Sequence, residues 1–176
     1  MTHRAVAERA GVPLASTTYW FESKEELLQE TLLLAAREEV ARLERLVLEL
    51  APSDVDVAGW ARAVAEVLAG EVEADPVRHV ALIELVLEGT RRPWLREEIV
   101  RWNHAHLRLA ELGLRAAGSP DPGGDAPLVV AAISGLMLGQ LANPMPDFEA
   151  RVFRPALERL FASLVMVDHS TQMGAP

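Results

Sequence analysis

Apolar residues recur at intervals of three and four along most of this chain, the spacing of helices that bury one face. Capping residues, glycines and prolines divide the pattern into successive helices. No alternating apolar and polar pattern, which would mark a half-buried strand, is present. The predicted helices cover about 3–10, 14–20, 24–50, 54–74, 76–89, 93–118, 128–142 and 148–167. The sequence therefore predicts an all-α fold.

Helix-capping signals are clearest near the N-terminus. Thr2 is predicted to cap a first helix that ends at Gly11. Ser23-Lys24-Glu25-Glu26 is a capping box, in which the Ser23 hydroxyl accepts from a backbone N–H and Glu26 reaches back to Ser23. The helix that it opens meets no breaker before Pro52, so its expected length is about 40 Å at ~1.5 Å per residue. Such a helix is long enough to connect two domains.

Other boundary signals lie further along the chain. Ser53 and Asp54 are predicted to open the fourth helix, and Asp75 with Pro76 the fifth. The residues Ser119–Pro127, SPDPGGDAP, are rich in proline, glycine and aspartate and are predicted to be a loop.

Composition and charge restrict the class of protein. The chain has no cysteine, which excludes a disulfide framework and a thiolate metal site. The formal net charge of -9 has the wrong sign for coating nucleic acid, so DNA binding would have to come from a small local surface. The most apolar run, Pro127–Ala142, is shorter than the ~20 residues that cross a bilayer. We expect a soluble, cytoplasmic protein without a membrane partner.

The N-terminal helices have the order of a helix-turn-helix: a helix, a turn containing glycine, a short second helix and a capped third. In that geometry the second helix enters the major groove of DNA. Its hydroxyls suit bases or phosphates, its apolar side chains suit thymine methyls, and a lysine at a helix N-terminus suits a phosphate. The candidate DNA-binding residues are Thr2, Leu14, Ala15, Ser16, Thr17, Thr18, Tyr19, Trp20 and Lys24.

These residues resemble a known family. THRAVAERAGV at 2–12, STTYWF at 16–21 and SKEELL at 23–28 look like the DNA-binding segment of the TetR family of bacterial transcriptional regulators. The resemblance is strong over about the first 30 residues. It implies a homodimer with a DNA-binding domain at 1–36 and a helical-bundle domain at 37–176 that dimerises and binds a small-molecule inducer.

The chain departs from the family pattern in two respects. The family has a leading helix before the Thr2 helix, which this chain lacks, so we expect the helix-turn-helix to be partial. That helix would cover apolar residues such as Val6, Val12, Tyr19 and Phe21. The remaining segment is also not basic, because five glutamates accompany Arg4, Arg9 and Lys24. We expect binding to a palindromic operator only with the missing helix restored.

The last two helices carry the signals of a subunit interface. The apolar helix of 128–142 lacks a polar face, so it must be buried on more than one side. Ala131, Gly135 and Gly139 recur every four residues and allow close backbone approach. The hypothesis is a four-helix homodimer interface, and the alternative is a central helix in a monomeric bundle. The predicted interface residues are Ala131, Gly135, Gly139, Leu157, Leu160, Phe161 and Leu164.

Tryptophan and histidine residues on the apolar faces of the middle helices suit a cavity for an aromatic or amphipathic ligand. The alternative for each of them is packing in the core. The candidate ligand-binding residues are Trp60, His79, Ile83, Trp102, His106 and Met137.

An enzyme is the third class that we considered. His104 and His106 resemble a metal pair, and Glu84 and Glu88 could supply carboxylates. Residues two apart on a helix diverge by about 200°, however, so the two histidines do not share one ion. No phosphate-binding glycine loop or nucleophile motif occurs. The sequence predicts no catalytic residue, metal or cofactor.

The sequence thus favours a ligand-responsive DNA-binding regulator, a repressor that a small-molecule inducer releases from its operator. Two alternatives stay open. One is a dimeric ligand-binding or interaction module without competent DNA binding, and the other is a helical-bundle enzyme that uses histidine and glutamate.

Overall fold

The computed structural model describes residues 2–50 and 57–165, and the side chains of 2–46 and 58–165. Those residues form helices and turns without a strand, so the all-α prediction is confirmed. The predicted breaker Pro52, the predicted caps Ser53 and Asp54, and the chain after Val165 lie outside the described residues. The helices are α1 (His3–Ala10), α2 (Leu14–Trp20), α3 (Lys24–Leu50), α4 (Val57–Ala74), α5 (Pro76–Arg91), α6 (Arg96–Ala117), α7 (Pro122–Ala142) and α8 (Arg154–Val165).

Helix α1 begins and ends, and helix α3 begins, as the capping signals predict. Thr2 Oγ1 accepts from the Ala5 amide at 3.2 Å, and Gly11 ends α1 with a φ of 67°. Ser23 Oγ accepts from the Glu26 amide at 3.1 Å. One detail of the capping box is wrong: the Glu26 carboxylate accepts from the amide of Glu22, one residue earlier than predicted. Because the carboxylate reaches further back, it ties the turn before α3 to the helix start.

The predicted loop at 119–127 is wrong, because α7 already begins at Pro122. Asp121 Oδ1 accepts from the Gly124 amide at 3.0 Å and Pro122 occupies the first helical position. This Asp-Pro pair starts a helix in the same way as Asp75-Pro76. Pro127 lies inside the helix, which loses one backbone hydrogen bond there.

The earlier start changes the length argument about membranes. Helix α7 has 21 residues, and an 18-residue window within it has a mean hydropathy of 1.5, so by length and composition it could cross a bilayer. The argument that the run is too short is therefore wrong. Core helices of soluble proteins pass the same test, so the observation is weak by itself.

The apolar core has two clusters that share helix α6. The first joins α4, α6, α7 and α8, and its largest fully buried side chains are Phe153, Phe161, Leu114, Leu157 and Val129. The second joins α3, α5 and α6 around Leu43, Leu85, Leu95 and Trp102. Two further turns complete the chain: a 3₁₀ turn, Pro93–Leu95, precedes α6, and a π-helical turn, Glu149–Phe153, precedes α8.

Trp60 fills the centre of the first cluster. Its ring meets Phe161 edge to face, with centroids 5.2 Å apart. The same ring lies directly over Gly113 of α6, where a Cβ would come well inside 3.0 Å of three ring atoms. The absence of a side chain at Gly113 is therefore what lets α4 and α6 pack at this point.

Candidate functional site

Helices α1 and α2 pack on each other beside the N-terminal end of α3, and we call residues 2–36 the head. Near these contacts the head buries the side chains of Ala7 of α1, Thr17 of α2 and Leu27 of α3. Tyr19 and Trp20 stand on the surface with 79% and 71% of their area exposed, and their rings meet edge to face. The head thus presents the outer side of α2 to solvent.

Most of the predicted DNA-binding side chains lie on this surface. Thr2, Leu14, Ala15, Thr18, Tyr19, Trp20 and Lys24 are exposed, and Ser16 is half-buried. Thr17 is different: it is buried, and its hydroxyl donates to the Leu14 carbonyl at 2.9 Å. That placement does not fit a direct contact with DNA, because the helix pitch turns residue 17 towards the head's interior.

The exposed hydroxyls of the head are already engaged with the backbone. Thr18 Oγ1 lies 3.2 Å from the Ala15 carbonyl oxygen, to which it donates, and Thr2 Oγ1 caps α1. The charged residues on this surface are predominantly acidic, as the sequence indicates. The exposed cations are Arg4, Arg9 and Lys24, and the exposed anions are Glu8, Glu22, Glu25, Glu26 and Glu30.

A cavity of about 690 Å³ lies between α3 and α5, a size in the range of small-molecule sites. One wall is apolar and belongs to the second core cluster, with Leu32, Ala35, Leu82 and Leu85. The other wall is charged. The charged lining residues are Glu38, Glu39, Arg42, Arg45 and Arg78.

A buried ion-pair network supports the charged wall. Glu39 is only 3% exposed, and its Oε1 accepts from Arg42 Nε at 3.0 Å and from Arg42 Nη2 at 2.7 Å. Its Oε2 accepts from Arg78 of α5. Arg42 Nη1 also donates to Glu71 Oε1 of α4 at 2.7 Å. The network of Glu39, Arg42, Glu71 and Arg78 therefore joins α3, α4 and α5 through charged hydrogen bonds.

Electrostatics around the network affect two titratable groups. Burial by itself would lower the pKa of Arg42, but the hydrogen bond to Glu39 and the charges of Glu39 and Glu71 raise it overall. Burial lowers the pKa of His106, although its hydrogen bond to the Trp102 carbonyl and the charge of Glu39 oppose the change. The positive charge of Arg42 adds to the lowering of the His106 pKa.

The cavity does not gather the ligand-binding residues that the sequence suggested. Trp60 and Met137 are buried in the first cluster, away from the cavity lining. Trp102 is buried in the second cluster, whose Leu85 does line the cavity. His106 Nδ1–H donates to the Trp102 carbonyl oxygen, 3.1 Å away. His79 and Ile83 are half-buried neighbours of Arg78 and Leu82 on α5 and do not line the cavity themselves.

Helix α7 leaves one side open to solvent. We call Leu128, Ala131, Gly135, Leu138 and Gly139 the α7 stripe, and all five are exposed. A Cβ added at Gly135 or Gly139 would meet nothing within 4 Å. Among the other residues predicted for the interface, Leu160 and Leu164 are half-buried, whereas Leu157 and Phe161 are completely buried within the chain. The last two side chains do not fit a direct intersubunit contact.

The residues considered for catalysis do not form one site. His104 is exposed, whereas His106 is half-buried on another side of α6. Glu88 pairs with Arg91 and Arg92, and these hydrogen bonds lower its pKa. A small groove of about 330 Å³ is lined by four carboxylates, from Glu66, Glu73, Asp147 and Glu149. Within residues 2–50 and 57–165, no three acidic or histidine side chains are placed to hold a metal ion.

Sequence comparison identifies the family. The family model for the C-terminal domain of tetracyclin repressor-like proteins matches residues 55–165, more than half of the chain. The chain belongs to the TetR family. TetR proteins are ligand-responsive transcriptional regulators that generally act as dimers on operator DNA, and they are generally not enzymes and typically soluble. No curated protein sequence matches this TetR chain.

The sequence analysis missed the ion-pair network of this TetR protein. Glu39 and Arg42 are three residues apart on α3, which is a recognisable helical pair. Their partners Glu71 and Arg78 come from two other helices, and nothing in the local pattern marks those residues. The position of Glu39 between Ala36 and Leu43 in the amphipathic pattern of α3 was a second signal.

Proposed function

We propose that this TetR-family protein is a transcriptional repressor that binds a palindromic operator as a homodimer and is released by a small-molecule inducer. The observation that carries the proposal is the continuity of α3. Its first turn contains Lys24 beside the exposed surface of α2, and residues in its middle line the α3–α5 cavity. One rigid element therefore connects a candidate DNA-binding surface with a candidate inducer site.

DNA binding in this proposal uses the outer side of α2. Leu14 and Ala15 lie at its exposed N-terminal end and suit base edges or thymine methyls. Tyr19, Trp20 and Lys24 flank them and suit phosphates. The domain boundary that we propose, between residues 36 and 37, falls inside α3, so the helix belongs to both functions.

Homodimerisation in this proposal uses the α7 stripe together with the outward side of α8. The stripe is apolar, contiguous and free of contacts with the rest of the described chain at its glycines. Two such stripes allow close helix approach across a twofold axis, and α8 from each subunit completes a four-helix bundle. Burial of α7 at this interface is consistent with a soluble, cytoplasmic protein.

Induction in this proposal is a shift between two orientations of α3. A ligand in the cavity contacts α3 and α5, and it favours the orientation in which the two heads of the dimer no longer match the operator spacing. The ion pairs of Arg37 with Glu98 and of Arg108 with Glu44 hold α3 against α6. The Arg108–Glu44 pair, with both side chains more than half exposed, can re-form in a second arrangement.

Operator binding is the direct test. Fluorescence anisotropy with a labelled operator and a random duplex compares the chain, the same chain extended by the leading helix that the family resemblance implies, and variants of the extended chain. Lys24→Ala should weaken binding to both duplexes alike and lower the salt dependence by about one phosphate contact. Thr18→Ala should mainly lower discrimination. Arg62→Ala, an exposed cation on α4, is the control and should change neither.

The dimer has its own test. Leu138→Glu places a charge in the α7 stripe at a residue that is 51% exposed, and it should convert the dimer to monomers in sedimentation experiments. Val67→Glu on α4 is the matched control, because Val67 is 48% exposed but lies outside the stripe. A monomer at micromolar concentration for the unchanged protein would remove the dimer from the proposal.

The acidic head favours a second candidate function, a dimeric ligand-binding or interaction module that does not bind DNA. Five exposed glutamates against three cations repel a phosphate backbone. This candidate predicts that the chain and its extended form bind neither duplex at low salt, while ligand binding persists. The anisotropy experiment separates the two functions.

A further inference from the structure

The α3–α5 cavity has an unequal supply of hydrogen-bond donors and acceptors. We propose that it binds an amphipathic carboxylic acid, with the carboxylate at Arg45 and Arg78 and the apolar chain against Leu32, Leu82 and Leu85. The assignment names the ligand class of the proposed inducer site, so its regulatory meaning rests on the proposed function. Binding itself is measurable without DNA.

The charged wall retains guanidinium donors but little free carboxylate. Both oxygens of the buried Glu39 already accept hydrogen bonds, from Arg42 and Arg78. Glu38 is the remaining carboxylate in the lining, and it is exposed to water. A cation entering the cavity would therefore find that both oxygens of Glu39, the buried carboxylate, already accept hydrogen bonds.

The arginines, in contrast, have donors to spare. Arg45 makes no ion pair with any side chain that the structure describes. Arg78 gives one nitrogen to Glu39 and keeps the rest of its planar fork, which matches the two oxygens of a carboxylate. Arg42 is paired with both Glu39 and Glu71, so the guanidinium donors that remain free in the lining are those of Arg45 and Arg78. An anion completes this wall.

The ion-pair network orients that wall before a ligand arrives. Arg42 is fixed by Glu39 on α3 and by Glu71 on α4, and Arg78 is fixed by Glu39. Burying such charges costs free energy, and here the cost produces a preorganised set of donors. Glu71 Oε2 is buried and has no hydrogen-bond partner within the described part of the chain, but Glu71 is not part of the cavity lining.

The opposite wall specifies the rest of the molecule. Leu32, Ala35, Leu82 and Leu85 present only carbon atoms to the cavity from their side chains, and they continue into the second core cluster. In the same cluster, the indole N–H of the buried Trp102 has no acceptor among the residues that the structure describes. An apolar chain or ring attached to the carboxylate removes its surface from water on this wall.

Calorimetry of the complete protein with octanoate tests the assignment, using octanol, octylamine and octyl phosphate as matched ligands. Octanoate should bind with the lowest Kd and raise the Tm. Arg45→Gln and Arg78→Gln should each weaken octanoate about tenfold, the effect of losing a charged hydrogen bond worth about 1.4 kcal/mol. Neither variant should change the Kd of octanol. Arg62→Gln, an unpaired exposed arginine outside the cavity, should leave octanoate binding unchanged.

Several outcomes overturn the assignment. If octanol or octylamine binds as tightly as octanoate, the cavity does not recognise a carboxylate. If octyl phosphate binds more tightly than octanoate, the preferred ligand class is a phosphate ester. Unchanged octanoate affinity in Arg45→Gln places the ligand elsewhere, and this variant remains informative if Arg78→Gln fails to fold. If operator DNA is bound and released by a non-acidic compound, the ligand class fails while the proposed function stands. If octanoate binds but no DNA is bound, the ligand class stands while the proposed function fails.

Discussion

Replacing Gly113 by alanine tests the contact between α4 and α6. An alanine Cβ would come well inside 3.0 Å of three atoms of the Trp60 ring, whereas ordinary carbon contacts begin near 3.4 Å. The ring must therefore shift by about 1 Å, but Phe161 packs against its other side. Overpacking of this kind costs about 1–3 kcal/mol, more than the ~1 kcal/mol that alanine gains over glycine in a helix.

The matched control is Gly70→Ala on α4, where an added Cβ meets nothing within 4 Å. It should raise the free energy of unfolding by about 0.5–1 kcal/mol, whereas Gly113→Ala should lower it by up to about 2 kcal/mol after the helix gain is subtracted. Urea unfolding followed by circular dichroism at one protein concentration measures both. Equal stabilities of the two alanine variants would refute the close packing of Trp60 on Gly113.

A double variant identifies the ring as the cause. Phenylalanine at position 60 lacks the part of the indole that meets Gly113, so Trp60→Phe should be destabilising alone. Combined with Gly113→Ala, it should show a favourable coupling of about 1 kcal/mol or more. Additive effects would mean that the alanine is accommodated by movement of the backbone instead.

Three further changes test other parts of the structure. Burial lowers the pKa of His106, so below about pH 6.5 the unfolded chain binds a proton that the folded chain does not, and the unfolding free energy should fall as the pH drops from 7.5 to 5.5. Urea unfolding across this range measures the decline. His106→Gln should flatten it, and the control His104→Gln, at an exposed residue, should not. Glu39→Gln should lower the unfolding free energy by about 2–3 kcal/mol, since it removes a buried charge that pairs two arginines, whereas Glu97→Gln at an exposed pair should change it by less than about 0.5 kcal/mol. Asp121→Ala should cost about 1 kcal/mol in the same assay, because the α7 cap is lost, and an unchanged value would return residues 119–127 to a loop.

Local chemistry allowed most of the helix boundaries to be predicted. Thr2, Gly11, Ser23 and Asp75 act on backbone groups within four residues of themselves, so their effects are visible in the sequence. The error at α7 arose because prolines and glycines outweighed the Asp121-Pro122 start signal. Composition indicates a loop there, but one well-placed cap decides the structure.

The candidate sites were less predictable because they depend on which helices meet. The sequence suggested Trp60 as a ligand contact because it is a tryptophan on an apolar face, yet its position over Gly113 makes it part of the core. The cavity is instead lined by arginine and glutamate side chains that a helical pattern assigns to solvent. The burial of Thr17 was not predictable for the same reason, because it depends on how α1 packs on the short helix α2.

The division of the core into two clusters has a consequence for local unfolding. Helices α4, α7 and α8 are held by one cluster, and α3 and α5 by the other. We expect each cluster to behave as a separate cooperative unit, so that the second opens while the first stays folded. We expect backbone amides of α3 and α5 to exchange hydrogen with water sooner than those of α4 and α8. The protein can then admit a molecule into its interior by loosening one half of its core, at a free energy below that of unfolding the whole chain.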